Sequence, residues 1–118
     1  MLLTRMVERE ADQLSEVLKA AGDPTRRAIL TILVQEGPVR VTDLAARFDM
    51  SLNAVSKHIK TLERAGLVSR RTEWRAHLIA AEMGPVRLIE DWFDMLKSIW
   101  AMRLDRLDEI LKEEEEDD

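Results

Sequence analysis

Cysteine and tyrosine are absent from this 118-residue chain, histidine occurs twice, and aromatic residues make up 4%. Without Cys there are no disulfides, no thiolate metal ligands and no cysteine nucleophile. Two isolated histidines form no motif-spaced pair. No Gly-rich loop is available to cradle a phosphate, and no acids stand at catalytic spacing. The chain therefore reads as a non-enzyme with no cofactor. Few aromatics favour helix over sheet. No stretch approaches the ~20 apolar residues of a membrane span. The start, MLLTRMVERE, has neither the apolar run nor the cleavage pattern of a signal peptide. The expected location is the cytoplasm.

Positive charge is also in deficit, with a net charge of −5, which looks wrong for a nucleic-acid binder. The deficit is local. Residues 113–118 read EEEEDD, and with those six acids set aside Met1–Lys112 carries +1. Within Ser51–His77 the positives are Lys57, Lys60, Arg64, Arg70, Arg71 and Arg75, against Glu63 and Glu73, so that segment stands at +4. A phosphate backbone responds to charge within roughly a Debye length, ~8–10 Å. The acidic segment, 113–118, is expected to be a disordered tail, since acids at a helix C-terminus oppose the dipole.

Ser51–Val68, SLNAVSKHIKTLERAGLV, is the most informative stretch. Leu52, Val55, Ile59 and Leu62 recur at the period of a buried helical face. Between them lie Asn53, Ser56, Lys57 and Lys60, short or cationic donors suited to base edges and phosphates. Ser51 is a natural N-cap, and Ala65-Gly66 a natural helix end. His58 projects between Val55 and Leu62, so a half-buried packing role is expected rather than proton or metal chemistry.

The flanks supply a context for this helix. Residues 2–21 have helical periodicity ending at Gly22. Asp23-Pro24 is a start signal for a helix to about Glu36, and Gly37-Pro38 stops it. A short helix is expected from Val41 to Phe48, followed by a turn at Asp49-Met50. After Gly66 the pattern changes to two short extended runs, Leu67–Arg71 and Ala76–Ala80, around Thr72–Arg75, which reads as a hairpin. Gly84-Pro85 then opens a last helix to about Lys112, with Leu88, Ile89, Trp92, Phe93, Leu96, Ile99, Trp100, Leu104, Leu107, Ile110 and Leu111 apolar. At 28 residues it would span about 42 Å, longer than so small a domain needs. Residues 1–112 are thus expected to form one domain with long terminal helices at about 2–21 and 85–112. The fold class is mainly α: a winged helix-turn-helix with a two-stranded β-wing.

LKAAGDPTRRAILTIL (Leu18–Leu33), VTDLAARFDMSLNAVSKHIKTLERAGLVSRR (Val41–Arg71) and VRLIEDWFDMLKSIWAMRLDRLDEIL (Val86–Leu111) together resemble the ArsR/SmtB-type winged-helix repressors, in a subgroup without the metal sites. The resemblance implies a homodimeric repressor that binds double-stranded DNA at an inverted-repeat operator. It places Leu52, Asn53, Ser56 and Lys57 on base-facing positions. Gln is common where Leu52 stands; Leu cannot donate, but it can touch a thymine methyl. Lys60, Arg70, Arg71 and Arg75 are expected on phosphate or in the minor groove. The wing tip, Thr72-Glu73-Trp74-Arg75, lacks the usual Gly, so a differently shaped hairpin is expected. The implied dimer interface is Leu3, Val7 and Leu14 from the first helix with Trp92, Phe93, Leu96, Ile99 and Trp100 from the last. Metal-sensing relatives use Cys on the third helix or His-containing sets on the last; here VRVTDLAARF has no Cys, and the last helix has Glu90, Asp91 and Asp94 but no His. Metal independence follows. The alternative class is a winged helix used for protein–protein contact, without specific DNA binding.

Overall fold

A computed structural model of the chain describes residues 2–117, with side chains from 8 to 116. Helix α1 (Leu2–Ala21) is followed by α2 (Pro24–Glu36), strand β1 (Val39–Arg40), α3 (Val41–Ala45), α4 (Leu52–Arg64), strands β2 (Val68–Glu73) and β3 (Ala76–Ala81), and α5 (Val86–Asp117). The sheet is antiparallel throughout, in the order β1-β3-β2.

Each helix boundary has a local cause. Asp23 caps α2 by accepting from the Arg26 backbone N–H at 3.0 Å, and Pro24 occupies the first turn. Gly37 ends α2 at φ 82° and ψ −161°, a region open essentially to glycine. Ser51 Oγ accepts from the Ala54 N–H at 3.1 Å and starts α4. Gly66, at φ 77°, closes α4 with a Schellman pair: Leu67 N–H to the Leu62 carbonyl at 3.0 Å and Gly66 N–H to the Glu63 carbonyl at 2.9 Å.

Val17 and Ala20 from α1, Ile29 and Leu33 from α2, Leu44 from α3, Val55, Ile59 and Leu62 from α4, Leu67 from the turn after α4 and Ile79 from β3 form the core. Every one of these is apolar, and no buried side-chain polar atom among the described residues lacks a partner. The helical spacing of Val55, Ile59 and Leu62 thus does what it predicts: it turns one face of α4 fully inward.

Four boundaries differ from the sequence expectation. The third helix stops at Ala45. Arg47 N–H and Phe48 N–H reach back three residues, to Leu44 and Ala45 at 3.1 and 3.2 Å, so the chain tightens into turns before α4. β1 is additional, and it exists through pairing of Val39 with Ile79 and Arg40 with Leu78. The wing strands run to Glu73 and Ala81, leaving a two-residue loop, Trp74-Arg75. Helix α5 continues to Asp117 rather than ending near Lys112. Glu is a strong helix former, and neither Gly nor Pro interrupts the last turns. The 32-residue helix spans about 48 Å. A globule of this length would have a radius of gyration of about 13–14 Å, whereas the Cα value is 21.1 Å. Much of α5 therefore projects past the core. No helix among the described residues is long and apolar enough to cross a membrane.

Candidate nucleic-acid interface

Helix α4 has two unlike faces. Opposite its buried side, Asn53, Lys57, Lys60 and Arg64 are exposed and Ser56 is half-buried. Positions 53, 56, 57, 60 and 64 are separated by three and four residues, so they share one helical face. Leu52, expected on the buried stripe with Val55, Ile59 and Leu62, is instead 51% exposed: it is the first residue of α4, and the core does not extend to it. The result is a polar, cationic face with one apolar residue, presented on a helix whose other side is locked into the core.

The helix is also braced from behind. Arg26 Nε donates to the Ala20 carbonyl at 2.9 Å and Nη2 to the Lys19 carbonyl at 2.8 Å, closing the α1–α2 corner. Its Nη1 lies 3.5 Å from His58 Nδ1, and Asp23 Oδ2 is 3.9 Å from the same nitrogen. His58 is half-buried here, as its helical projection implies. The backbone N–H of Arg26 is the main reason the Asp23 carboxyl lies below its usual 3.8. A lowered folded pKa means that this contribution is complete above the unfolded value and is lost as pH falls through the folded one. Asp23→Asn retains a capping acceptor without the charge. It is therefore expected to flatten the acid limb of melting temperature against pH below about pH 5. An acid limb as steep as that of the unmodified chain counts against the cap as its source.

A second brace joins α2 to the turn before α4. Arg47 donates to both oxygens of Glu36, with Nη2 at 2.8 Å from Oε1. This hydrogen bonding holds the Glu36 carboxyl below, and the Arg47 guanidinium above, their ordinary values.

The wing places its arginines differently from one another. Alternation along β2 and β3 puts Val68, Arg70, Ile79 and Ala81 on one face and Arg71 and Leu78 on the other. Val68 and Ile79 are buried, so Arg70 emerges on the side turned toward the core. There its Nε donates to Glu63 Oε1 of α4 at 2.8 Å. Arg70 is thus a strut between wing and helix as well as a surface cation. Arg71 and Arg75 are exposed. Arg40 of β1, not singled out from the sequence, joins Thr42, Arg70, Arg75 and His77 around one shallow hollow. Its one sequence signal is the extended PVRV run after Gly37. A pairing partner more than thirty residues away places it.

The terminal helices carry the remaining candidate residues. Leu14 and Trp92 are half-buried, while Phe93, Leu96, Ile99 and Trp100 are 49%, 40%, 46% and 64% exposed. Leu104, Leu107, Ile110 and Leu111 continue the same exposed apolar face. Leu3 and Val7 lie outside the residues whose side chains are described. No group of three or more His, Cys, Asp or Glu arranged to hold a metal occurs among the described residues.

A capped helix turned outward from a helix-turn-helix core, with a basic two-stranded wing beside it, defines a winged helix-turn-helix DNA-binding protein. Comparison with known proteins specifies the class further. A helix-turn-helix domain family matches residues 21–71. An uncharacterized HTH-type transcriptional regulator of Bacillus subtilis, YuzN, is 31% identical over 85 residues, covering 66% of this chain and 92% of that protein. The crystal structure of an ArsR family transcriptional regulator superposes with a TM-score of 0.71 at 36% identity, covering 77% of this chain and 93% of that one. The solution structure of a homodimeric winged helix-turn-helix DNA-binding domain from Mycobacterium bovis, a possible ArsR-family regulator, has a TM-score of 0.59 at 27% identity, covering 81% and 85%. The chain belongs to the ArsR family of winged helix-turn-helix transcriptional regulators.

Proposed function

We propose that the protein is a homodimeric, metal-independent repressor that binds an inverted-repeat operator in the cytoplasm. One observation carries the reading: α4 buries Val55, Ile59 and Leu62 completely while turning Asn53, Ser56, Lys57 and Lys60 outward on a single face. In this reading α4 lies in the major groove. Asn53, Ser56 and Lys57 approach base edges, and Leu52 meets a thymine methyl. Lys60 grips phosphate. Arg71 and Arg75 hold the flanking backbone or minor groove, with Arg40 beside them. Arg70 adds the guanidinium nitrogens that its Glu63 pair leaves over.

The two-fold partner meets Leu14, Trp92, Phe93, Leu96, Ile99 and Trp100, and Leu3 and Val7 belong to the same proposed surface. The homodimeric relative supports this reading, as does the exposed apolar face of α5. An isologous dimer presents the two copies of α4 about 34 Å apart, one helical turn of DNA. Occupying such a site would exclude polymerase, hence repression. Metal independence rests on donor chemistry: the chain has no Cys, and α5 has carboxylates but no His.

Selection of bound duplexes from a random library by the purified protein tests the proposal. The expected product is a palindrome with half-sites one or more helical turns apart. Its affinity should fall steeply with salt as counterions are released. Failure to enrich any sequence, or affinity indifferent to salt, would move the protein to the class of winged helices that contact other proteins.

A further inference from the structure

We propose that Trp74 is a wedge: its indole enters the minor groove beside each half-site and partly unstacks one base step. The proposal rests on the DNA-binding reading above and adds to it a residue and a deformation.

Trp74 is 100% exposed. An indole offers a large apolar area that folded chains rarely leave uncovered. Its backbone is unusual too. At φ 59° it is the one non-glycine residue with positive φ among those described. The loop has two residues, with positive φ at the first alone. That is the type II′ pattern, in which glycine is the favoured residue. A bulky side chain in this conformation is an outlier, and such outliers concentrate at functional positions. Here the tight loop sets the ring at the extreme tip of the hairpin.

The surroundings identify the occupant. Arg40, Arg75, Glu73 and Leu78 line one shallow hollow with Trp74. Arg71, three residues before Trp74 on β2, is also exposed. Leu78, half-buried on β3, is the one other large apolar side chain lining that hollow, so the exposed tip presents a single apolar ring rather than the apolar patch a protein or membrane contact would want. A single flat apolar ring among guanidiniums suits the minor groove. Arginines are drawn to its negative potential, and apolar side chains inserted between base steps kink the duplex. The groove is about 6 Å wide, and an indole entering edge-on fits between its walls.

The hairpin also fixes where the wedge falls. Arg70 is tied to Glu63 of α4 at 2.8 Å, and the tip lies four residues further, about 13 Å. The wedge therefore keeps a set offset from the helix in the major groove. It should favour the pyrimidine–purine steps, which unstack most readily.

The experiment uses the full chain and the duplex enriched by library selection. That duplex carries 2-aminopurine in the stretch flanking a half-site and a donor–acceptor dye pair at its ends. The unmodified protein should raise 2-aminopurine emission and bend the duplex by roughly 20° or more. Trp74→Gly suits the loop's backbone, so its melting temperature should be equal or higher. Its bound duplex should stay stacked and nearly straight, with affinity lowered about tenfold. Trp74→Phe should restore part of both signals. Equal bending, emission and affinity in Trp74→Gly would overturn the wedge while leaving DNA binding intact. Failure of the unmodified protein to enrich any duplex would overturn the DNA reading, and the wedge with it. Trp74 emission (unmodified protein minus Trp74→Phe) shielded from acrylamide by self-association but not by the duplex would assign the ring to a protein contact and overturn it as well.

Discussion

The double substitution Leu96→Glu, Ile99→Glu is expected to give a folded monomer with little affinity for the operator. Both residues lie on the outward apolar face of α5, 40% and 46% exposed in the single chain. A folded chain already carries this exposure, so the helix and core should survive the change. In a two-fold dimer each substitution occurs twice, so four side chains lose their cover. With a little under half of each surface at stake, each contributes about 1 kcal/mol. The four amount to ~4 kcal/mol, or roughly a thousandfold in the dimerisation constant. Carboxylates brought into the remaining apolar contact weaken it further. Light scattering on a sizing column reads the mass directly, and circular dichroism confirms the retained helices. Operator affinity should fall with the dimer, because one α4 then reads one half-site. A variant that remains dimeric at micromolar concentration would remove this face from the interface.

Lys57→Ala is expected to weaken operator binding by about 1–3 kcal/mol, roughly 5- to 150-fold, with stability almost unchanged. Lys57 is exposed, and among the described residues its amine has no ion pair. Its outward face is shared with Asn53 and Lys60, and Thr61 Oγ1 bonds its backbone carbonyl without involving the amine. Truncation to Ala therefore removes a donor from the proposed interface and nothing from the core. If Lys57 reads a base, the loss will be large on the selected operator and small on scrambled duplex. If it grips phosphate, the loss will be uniform and the salt slope will drop by about one. Unchanged affinity in a gel-shift titration would remove Lys57 from the interface.

Local signals made α4 legible from the sequence. Ser51, the spacing of Val55, Ile59 and Leu62, and Gly66 fix the start, inward face and end of α4 without help from distant residues. Asp23-Pro24 does the same for α2. What escaped was non-local. A two-residue strand has no periodicity of its own, so β1, and with it Arg40, emerges through pairing with Leu78 and Ile79. Arg70 reads as a free cation along the chain because its partner, Glu63, lies across the junction of two elements. The shape of the wing tip followed from hairpin register, which set Glu73 against Ala76 and left Trp74 in a conformation that composition would assign to glycine.

The Arg26 brace ties α4 to the α1–α2 corner, and α1 in turn packs on α5. In the proposed dimer this makes each domain a short lever pivoting on the two-fold axis. A helix held ~17 Å from that axis, half of one DNA turn, moves about 3 Å for a rotation of roughly 10°. That motion is perpendicular to the line from the axis to the helix, so it carries α4 across or out of its groove by about the length of a hydrogen bond. A small change in how two copies of α5 meet would thus unseat one copy of α4 from the proposed site. Control of binding becomes a mechanical variable, set far from the proposed DNA-facing residues.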